Sequence, residues 1–483
     1  MLAVVPPLGD SRPLRILSVT TRGAGSGAER VAWDLFVGYR SRGHASWLAV
    51  GSRASADAGV FEIPNDASRS AWSRLWYSAS RPLRRREGAH RWARPIRLVL
   101  AGIGDPARAA AQLLGHEDFH YPGTRHLLEL PPEMPEIVHA HNLHGGYFDL
   151  RQLPLLSRRV PLVLTLHDAW LFSGHCAHSF DCQRWLIGCG RCPDLTIYPA
   201  VARDATASNF RRKRRIYEAS SLFLAAPSRW LADRLANSML APAARECRVI
   251  PNGVDLETFA PADRAVARAR LRLPGDALIL LFAANGIRQN RWKDFQTLRR
   301  SVARVSLSLR GRPVLLLALG EDAPAERAGD AEIRFLPYEV DHDVVATYYQ
   351  AADLYVHAAR AETFPNAVLE ALACGTPVVA SAVGGVLEQV CGLGLRGADP
   401  TQGVHGTADG TGVLVAPGDP EAMAASVVVL AHDPDLRRRL GENAARDAHA
   451  RFDRDTQVDA YLAWFCEIQE RVAAPAAGAA HGG

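Results

Sequence analysis

The chain has 483 residues, 48% hydrophobic and 22% charged, enough apolar material for two large cores. A net charge of +5 is too mild to argue for nucleic acid, and no apolar run approaches the ~18 residues of a membrane span. The start, Met1-Leu-Ala-Val-Val-Pro-Pro7, lacks a basic region ahead of a long apolar segment, so the expected location is cytoplasmic, soluble or peripheral at the inner face of the plasma membrane.

Leu14-Arg-Ile-Leu-Ser-Val-Thr20 reads as a first buried strand, and Gly23-Ala-Gly-Ser-Gly-Ala-Glu-Arg30 opens a helix that continues through Phe36. A glycine turn there lets backbone approach a ligand, which makes Gly25 and Gly27 candidates. No Gly-Lys-Ser/Thr follows, so it is not a Walker loop. Residues 66–110 then interrupt the pattern with Trp72, Trp76, Tyr77, Trp92 and Leu98-Val-Leu100. Between 69 and 108 ten arginines face only Glu87 and Asp105, an excess larger than that of the whole chain. Aromatic and aliphatic groups among arginines suit a helix in a membrane interface; a solvated helical excursion fits equally well.

Ile137-Val-His-Ala-His-Asn142 and Pro161-Leu-Val-Leu-Thr-Leu-His-Asp168 are strands ending in polar residues. Ligands of open parallel sheets gather beyond such strand ends, so His139, His141, His144, His167 and Asp168 are candidates by position. Alternation puts His139 and His141 on one face, with His141 further out. Cys176, Cys182, Cys189 and Cys192 follow within seventeen residues, the last two as Cys-Gly-Arg-Cys. Four soft ligands on a short, turn-rich loop are what tetrahedral zinc needs; reduced or redox-active thiols are the other reading. Asn209-Phe-Arg-Arg-Lys-Arg-Arg215 reads as a solvated basic face. Leu222 to Ser228 is strand and cap, and Val249-Ile-Pro-Asn-Gly-Val-Asp255 is a turn closing a first domain.

A second domain starts with the strand Leu278 to Ala284, which leads into Asn285-Gly-Ile-Arg288-Gln-Asn-Arg-Trp-Lys293-Asp-Phe295. A strand end carrying Gly, Arg and Lys ahead of a helix suits phosphate neutralisation. Strands at Arg312–Gly320 and Ile333–Tyr338 follow; Asp341-His-Asp343 reads as a helix cap rather than a metal site. Then come Glu362-Thr-Phe-Pro-Asn-Ala-Val-Leu-Glu370, a short helix entered from a loop, and Gly375-Thr-Pro-Val-Val-Ala380, a turn and buried strand. A carboxylate can accept two hydrogen bonds from vicinal sugar hydroxyls, and the N–H groups of a helix start suit a pyrophosphate. A nucleotide sugar carries both features. Gly384-Gly385 before the next helix can add N–H groups to a leaving phosphate.

The two glutamates at this spacing, with Gly-Thr-Pro-Val-Val behind them, resemble the retaining glycosyltransferases of family 4. The resemblance extends over nearly the whole chain apart from the leader, the basic excursion and the tail. It implies a GT-B fold, α/β, with two Rossmann-like domains facing each other across a cleft. Residues 1–247 would form the acceptor-side domain and 248–450 the nucleotide-sugar domain, with a helix at 451–472 crossing back and a disordered tail at 473–483. The implied roles are catalytic for His141, Lys293 and Glu362. Donor contacts would come from Arg288 (in place of Arg291), Lys293, Glu362, Phe364, Asn366, Ala367, Glu370, Gly384 and Gly385. Gly25, Gly27, His167 and Asp168 would lie on the acceptor side. Asp294 stands where the family has the glycine of Lys-Gly-Phe, and Pro365 where Glu-x-Phe-Gly is commoner. The Cys-rich loop resembles that of bacterial enzymes building extracellular polysaccharides. The implied donor is UDP- or GDP-linked and the acceptor a saccharide or a lipid-linked one, with no catalytic metal; a structural zinc at the four cysteines is the reading of the loop itself, beside reduced or redox-active thiols. A nucleotide-sugar epimerase on the same fold, or a scaffold that only senses the nucleotide sugar, are the alternatives.

Overall fold

The computed structural model describes residues 12–23, 25, 27–86, 90, 92–395, 404, 405 and 408–473. The leader up to residue 11 and the tail after Ala473 lie outside them, as do Ala24 and Ser26 of the glycine turn. The chain divides into two compact units. One comprises residues 1–226, 231–249 and 458–483; the other comprises 227–230 and 250–457.

The first unit is built on a seven-stranded sheet: β1 (Arg15–Arg22), β2 (Ala45–Ser52), β3 (Val60–Glu62), β4 (Ile137–His141), β5 (Leu162–Thr165), β6 (Leu222–Ala226) and β7 (Ala244–Val249), in the order β3-β2-β1-β4-β5-β6-β7. Every neighbouring pair is parallel. β4, β5 and β6 are buried at every position, as strands covered on both faces must be. Helix Ala28–Ser41 lays Val31, Ala32, Leu35, Phe36 and Tyr39 inward, an apolar stripe at helical spacing. The basic excursion folds as three helices, Ala71–Arg86, Ala93–Gly104 and Pro106–Leu113. They leave Trp72, Leu75, Trp92, Ile96, Leu98, Val99, Ile103, Leu113 and Leu114 exposed.

The basic run at 209–215 lies inside helix Thr206–Glu218, and part of it is not a solvated face. Lys213 is fully buried, its Nζ 2.8 Å from Glu117 Oε1 and donating to the carbonyls of Trp170 (3.0 Å) and Ser173 (3.1 Å). Burial pushes both members of this pair toward their neutral forms, and their mutual attraction opposes it.

The second unit carries a nine-stranded sheet: β8 (Leu278–Ala283), β9 (Val314–Leu319), β10 (Glu326–Ala328), β11 (Ala331–Leu336), β12 (Leu354–His357), β13 (Val378–Ser381), β14 (Gly392–Leu395), β15 (Val404–His405) and β16 (Gly412–Val415). The order is β10-β11-β9-β8-β12-β13-β16-β14-β15, antiparallel only at the two outermost pairs. Along β8, Leu278, Leu280 and Phe282 enter one core while Ile279 and Leu281 enter another, so both faces of the sheet are covered.

The last helix, Arg454–Ala473, belongs to the first unit from Val458 onward. There Tyr461 packs on His139 (ring centroids 4.6 Å), Phe465 on Tyr39 (5.6 Å) and Trp464 on Phe223 (6.2 Å). Tyr461 OH and Thr165 Oγ1 are 2.8 Å apart, and Gln469 Nε2 donates to the Glu136 carbonyl at 2.7 Å.

Candidate functional site

In the second unit the loop before helix Phe295–Ser308 is laid against the end of β12. Asp294 N–H donates to the Ala358 carbonyl (3.0 Å), Arg360 N–H to that of Trp292 (2.8 Å), and Lys293 and Ala359 form an isolated antiparallel bridge. This backbone pairing carries Lys293 beside Glu362, and the two form an ion pair. Asp294, in the position of the missing glycine, caps the helix by accepting from Thr297 N–H (3.2 Å) and Oγ1 (2.8 Å).

Glu362 Oε1 also accepts from His357 Nε2 at 3.0 Å, and His357 Nδ1 accepts from Tyr355 OH at 3.0 Å. Burial pushes the Glu362 carboxyl up, but the Lys293 charge and the His357 hydrogen bond outweigh it and bring it down to about 2. His357 is lowered by burial and by Lys293, so it stays neutral. At the far end of the same group Glu370 Oε2 accepts from Tyr349 OH at 2.7 Å. Tyr355 lies between the two acids: burial and then the charges of Glu370 and Glu362 hold its phenol well above the ordinary range. Both glutamates thus belong to one cluster, joined through Tyr349, Tyr355 and His357. The sequence reading did not assign those three a role, although Tyr355-Val-His357 at the carboxyl end of a buried strand was the signal.

Gly384 and Gly385 are brought against the glutamate loop: a Cβ on Gly384 would overlap the Glu362 carbonyl oxygen, and one on Gly385 that of Thr363. Gly384 also has φ +51. Asn366 begins helix Asn366–Ala373, and its Oδ1 accepts from Asn252 Nδ2 at 3.0 Å. Ala367 is partly buried against the core. The Phe364 ring is core, packed on Phe452 at 5.8 Å. Arg288 is held away from the acids by Glu321, which accepts from Arg288 Nε (2.6 Å) and N–H (2.8 Å).

In the first unit the polar ends of β4 and β5 meet. His141 Nδ1 is 3.0 Å from His167 Nε2, and the His139 and His141 rings are 4.2 Å apart. His139 is core, bonded to Tyr39 OH (3.0 Å) and Thr165 Oγ1 (2.8 Å). His141 is fully buried, its Nε2 has no hydrogen-bond partner, and burial with the neighbouring imidazoles holds it well below the ordinary range. His167 is partly exposed and lowered to about 4, chiefly by burial. Asp168 Oδ2 lies 2.6 Å from His144 Nε2, and its Oδ1 accepts from Trp170 N–H at 2.9 Å. Burial raises Asp168 but the His144 pairing overrides it, keeping the carboxylate ionised. Gly27 starts helix Ala28–Ser41 with φ 62, and Gly25 sits where a Cβ would overlap the Glu29 carboxylate. The phenol of Tyr198 senses both Glu29 and Asp168, which ties the glycine turn to the β5 end.

Cys176, Cys182, Cys189 and Cys192 line one small cavity of about 20 Å³ together with His175. Cys189 Sγ accepts from Gly174 N–H (3.2 Å), and Cys192 Sγ is 3.3 Å from His175 Nε2. Burial pushes Cys176 up to about 11 and Cys189 up to about 12, so these thiols are protonated. Among the described residues no three His, Cys, Asp or Glu side chains are grouped to hold a metal ion. Asp341, whose side chain accepts from Asp343 N–H at 3.0 Å, caps helix His342–Ala351.

Two family models match in tandem, one described as Glycosyltransferase Family 4 over residues 25–258 and one as Glycosyl transferases group 1 over residues 267–447. D-inositol 3-phosphate glycosyltransferase 1 of Catenulispora acidiphila is 32% identical over 355 residues, 70% of this chain and 74% of that protein. WcaC of Escherichia coli K12, a glycosyl transferase named for colanic acid biosynthesis, is 29% identical over 258 residues, 51% of this chain and 60% of its own. Among solved structures, Anabaena HepE in complex with UDP-glucose superposes with a TM-score of 0.56 at 17% identity, covering 95% of this chain and 100% of that one. At that identity the likeness speaks for the fold, which is GT-B. With both halves matched by family models and a relative shared over most of its length, the chain belongs to the family 4 glycosyltransferases.

Proposed function

We propose that the protein is a retaining glycosyltransferase. It moves a sugar from a nucleoside diphosphate donor to a lipid-linked saccharide at the inner face of the plasma membrane, in the building of a cell-surface polysaccharide. The observation that carries this reading is the Lys293–Glu362 pair, partly buried and joined by the buried His357. A cation and a carboxylate at one point match the junction of diphosphate and sugar in such a donor. As the bond from the anomeric carbon to the diphosphate oxygen breaks, charge grows on the leaving group and Lys293 stabilises it. Arg288 joins Lys293 only after exchanging Glu321 for phosphate. N–H groups of Asn366, Ala367, Gly384 and Gly385 add donors. Glu362 takes hydroxyls of the transferred sugar and Glu370 those of the ribose. With retention, the acceptor hydroxyl attacks from the side of the leaving group and its proton passes to the departing diphosphate oxygen. These assignments use no catalytic metal.

The UDP-glucose held by HepE favours a uridine donor. Support for the membrane comes from the exposed Trp72, Leu75, Trp92 and Ile96 beside exposed Arg74 and Arg94. The experiment is incubation of the enzyme with UDP-[14C]glucose, and separately GDP-[14C]mannose, and bacterial lipid extract. Label in the organic phase, in an α-linkage from these α-linked donors, is the expected result. Absence of UDP or GDP release with either donor defeats the transferase assignment, and a β-linkage defeats retention.

A further inference from the structure

Within the first unit lies a cavity of about 810 Å³, inside the ~300–1,000 Å³ range of small-molecule sites, that the donor chemistry does not use. One wall is the excursion, with Leu98, Val99 and Leu113; the other end is floored by His116, Glu117 and His144. We propose that this cavity binds an amphiphilic acceptor, an alkyl chain along Leu98, Val99 and Leu113 and a hydroxylated headgroup at Glu117 and His144. This rests on the reading of the enzyme as a transferase with a lipid-linked acceptor.

Two observations point to a ligand of that kind. Leu98, Val99 and Leu113 are 50%, 62% and 68% exposed, an apolar wall facing water on a helical segment with no cover of its own. At the other end, the Glu117 side chain is only 5% exposed, yet its Oε2 has no hydrogen-bond partner, and neither has His116 Nδ1. Glu117 Oε1 is already occupied by Lys213 Nζ (2.8 Å) and Trp170 Nε1 (2.6 Å), so the geometry leaves one carboxylate oxygen for a donor from the ligand. Lys213 supplies the positive charge, so the vacant oxygen calls for a neutral hydroxyl rather than a cation or a phosphate. Asp118, also on the lining, is engaged: its Oδ2 accepts from Arg108 Nε (2.8 Å) and Tyr121 OH (2.7 Å). His144, held by Asp168, stands across the same floor. A water-soluble sugar would use the floor and leave the wall bare; a chain-bearing sugar uses both.

Octyl β-glucoside, kept below its micellar concentration, and methyl β-glucoside are titrated calorimetrically into the full chain. The octyl compound is expected to bind at least ~10-fold tighter, a modest share of what burying several methylenes allows. Leu98→Asp with Val99→Asp, both at exposed positions, should erase that gain while leaving the thermal midpoint unchanged. Glu117→Gln should weaken both compounds by a similar factor. If that variant fails to fold, His116→Ala reads out the same end. Equal affinity of the two glucosides for the wild type, or a gain that survives in the double variant, overturns the inference. UDP titrated into the same protein keeps the two readings apart. Absence of binding both of UDP and of GDP titrated in the same way, with the alkyl preference intact, counts against the transferase assignment alone. UDP binding without the preference sinks only the acceptor proposal.

Discussion

Lys293 and Glu362 form an ion pair, so on the proposed function a diphosphate sugar would compete with Glu362 for the lysine. Lys293→Ala should lower kcat/KM by ~10²-fold or more, the usual effect of losing a charge aimed at a developing anion. An unchanged value would remove Lys293 from the leaving-group role. Arg288→Ala should cost ~10-fold, less than Lys293→Ala, because that guanidinium must leave Glu321 to reach the phosphate; no loss would mean that it stays with Glu321. Glu362 also sets a pH dependence. Its carboxyl falls from an ordinary value of 4.5 to about 2 on folding, so its contribution to stability is complete above pH 4.5 and drains away between there and pH 2. Chemical denaturation of wild type and Glu362→Gln should converge as pH falls through that window, and curves that stay parallel would contradict the assignment. At this scale the motif made Lys293 and the two glutamates legible, but not His357 or Tyr355. Their role arises from the β12 strand meeting the glutamate loop, a contact that no spacing encodes.

Turns and loops decide more at the scale of elements than strands do. The Gly384-Gly385 turn is pressed on the carbonyls of residues 362 and 363, so any side chain at 384 displaces the glutamate loop itself. Gly384→Ala should weaken UDP binding by ~10-fold or more and lower the thermal midpoint, from a Cβ with no room and a left-handed φ. UDP affinity unchanged by calorimetry would show that the loop tolerates the shift. In the Cys-rich loop, four cysteines and His175 lie around one cavity, so protein purified without chelator is expected to carry zinc by mass spectrometry; less than about half an equivalent would defeat the zinc reading. Spacing supplied the residue types of a metal cage, and packing added His175 to the four cysteines around one cavity. Helix Thr206–Glu218 teaches the same lesson in reverse. Its run of basic residues looks solvated, and partners far along the chain, Glu117 at 96 positions and the carbonyls of Trp170 and Ser173, draw Lys213 inside.

For the molecule as a whole, the last helix ties chain end to chain start. From Val458 it is part of the unit that begins at β1, and Trp464, Tyr461 and Phe465 are fully buried there. Trp464→Ala should destabilise that unit by ~3–5 kcal/mol through the cavity left behind, measured by urea unfolding; a change below ~1 kcal/mol would mean that the helix is dispensable. The exposed aromatic and arginine residues of the excursion act at the same scale. Arg74→Glu with Arg94→Glu should abolish co-sedimentation with vesicles containing anionic lipid and spare UDP binding, and unchanged co-sedimentation would leave the membrane contact unsupported.

Periodicity, glycine turns and the glutamate stretch by themselves determined the family and the two parallel-dominated sheets, because buried strands and helix faces follow from local apolar patterning. The three excursion helices were legible only as a helical interruption. Which polar groups face one another was decided by tertiary structure alone: Lys213 with Glu117, Tyr349 with Glu370, Arg288 with Glu321, Phe364 turned into the core. Such pairs join residues far apart in the chain, and the cost of burying an unpaired polar group selects them only once the backbone has brought their elements together.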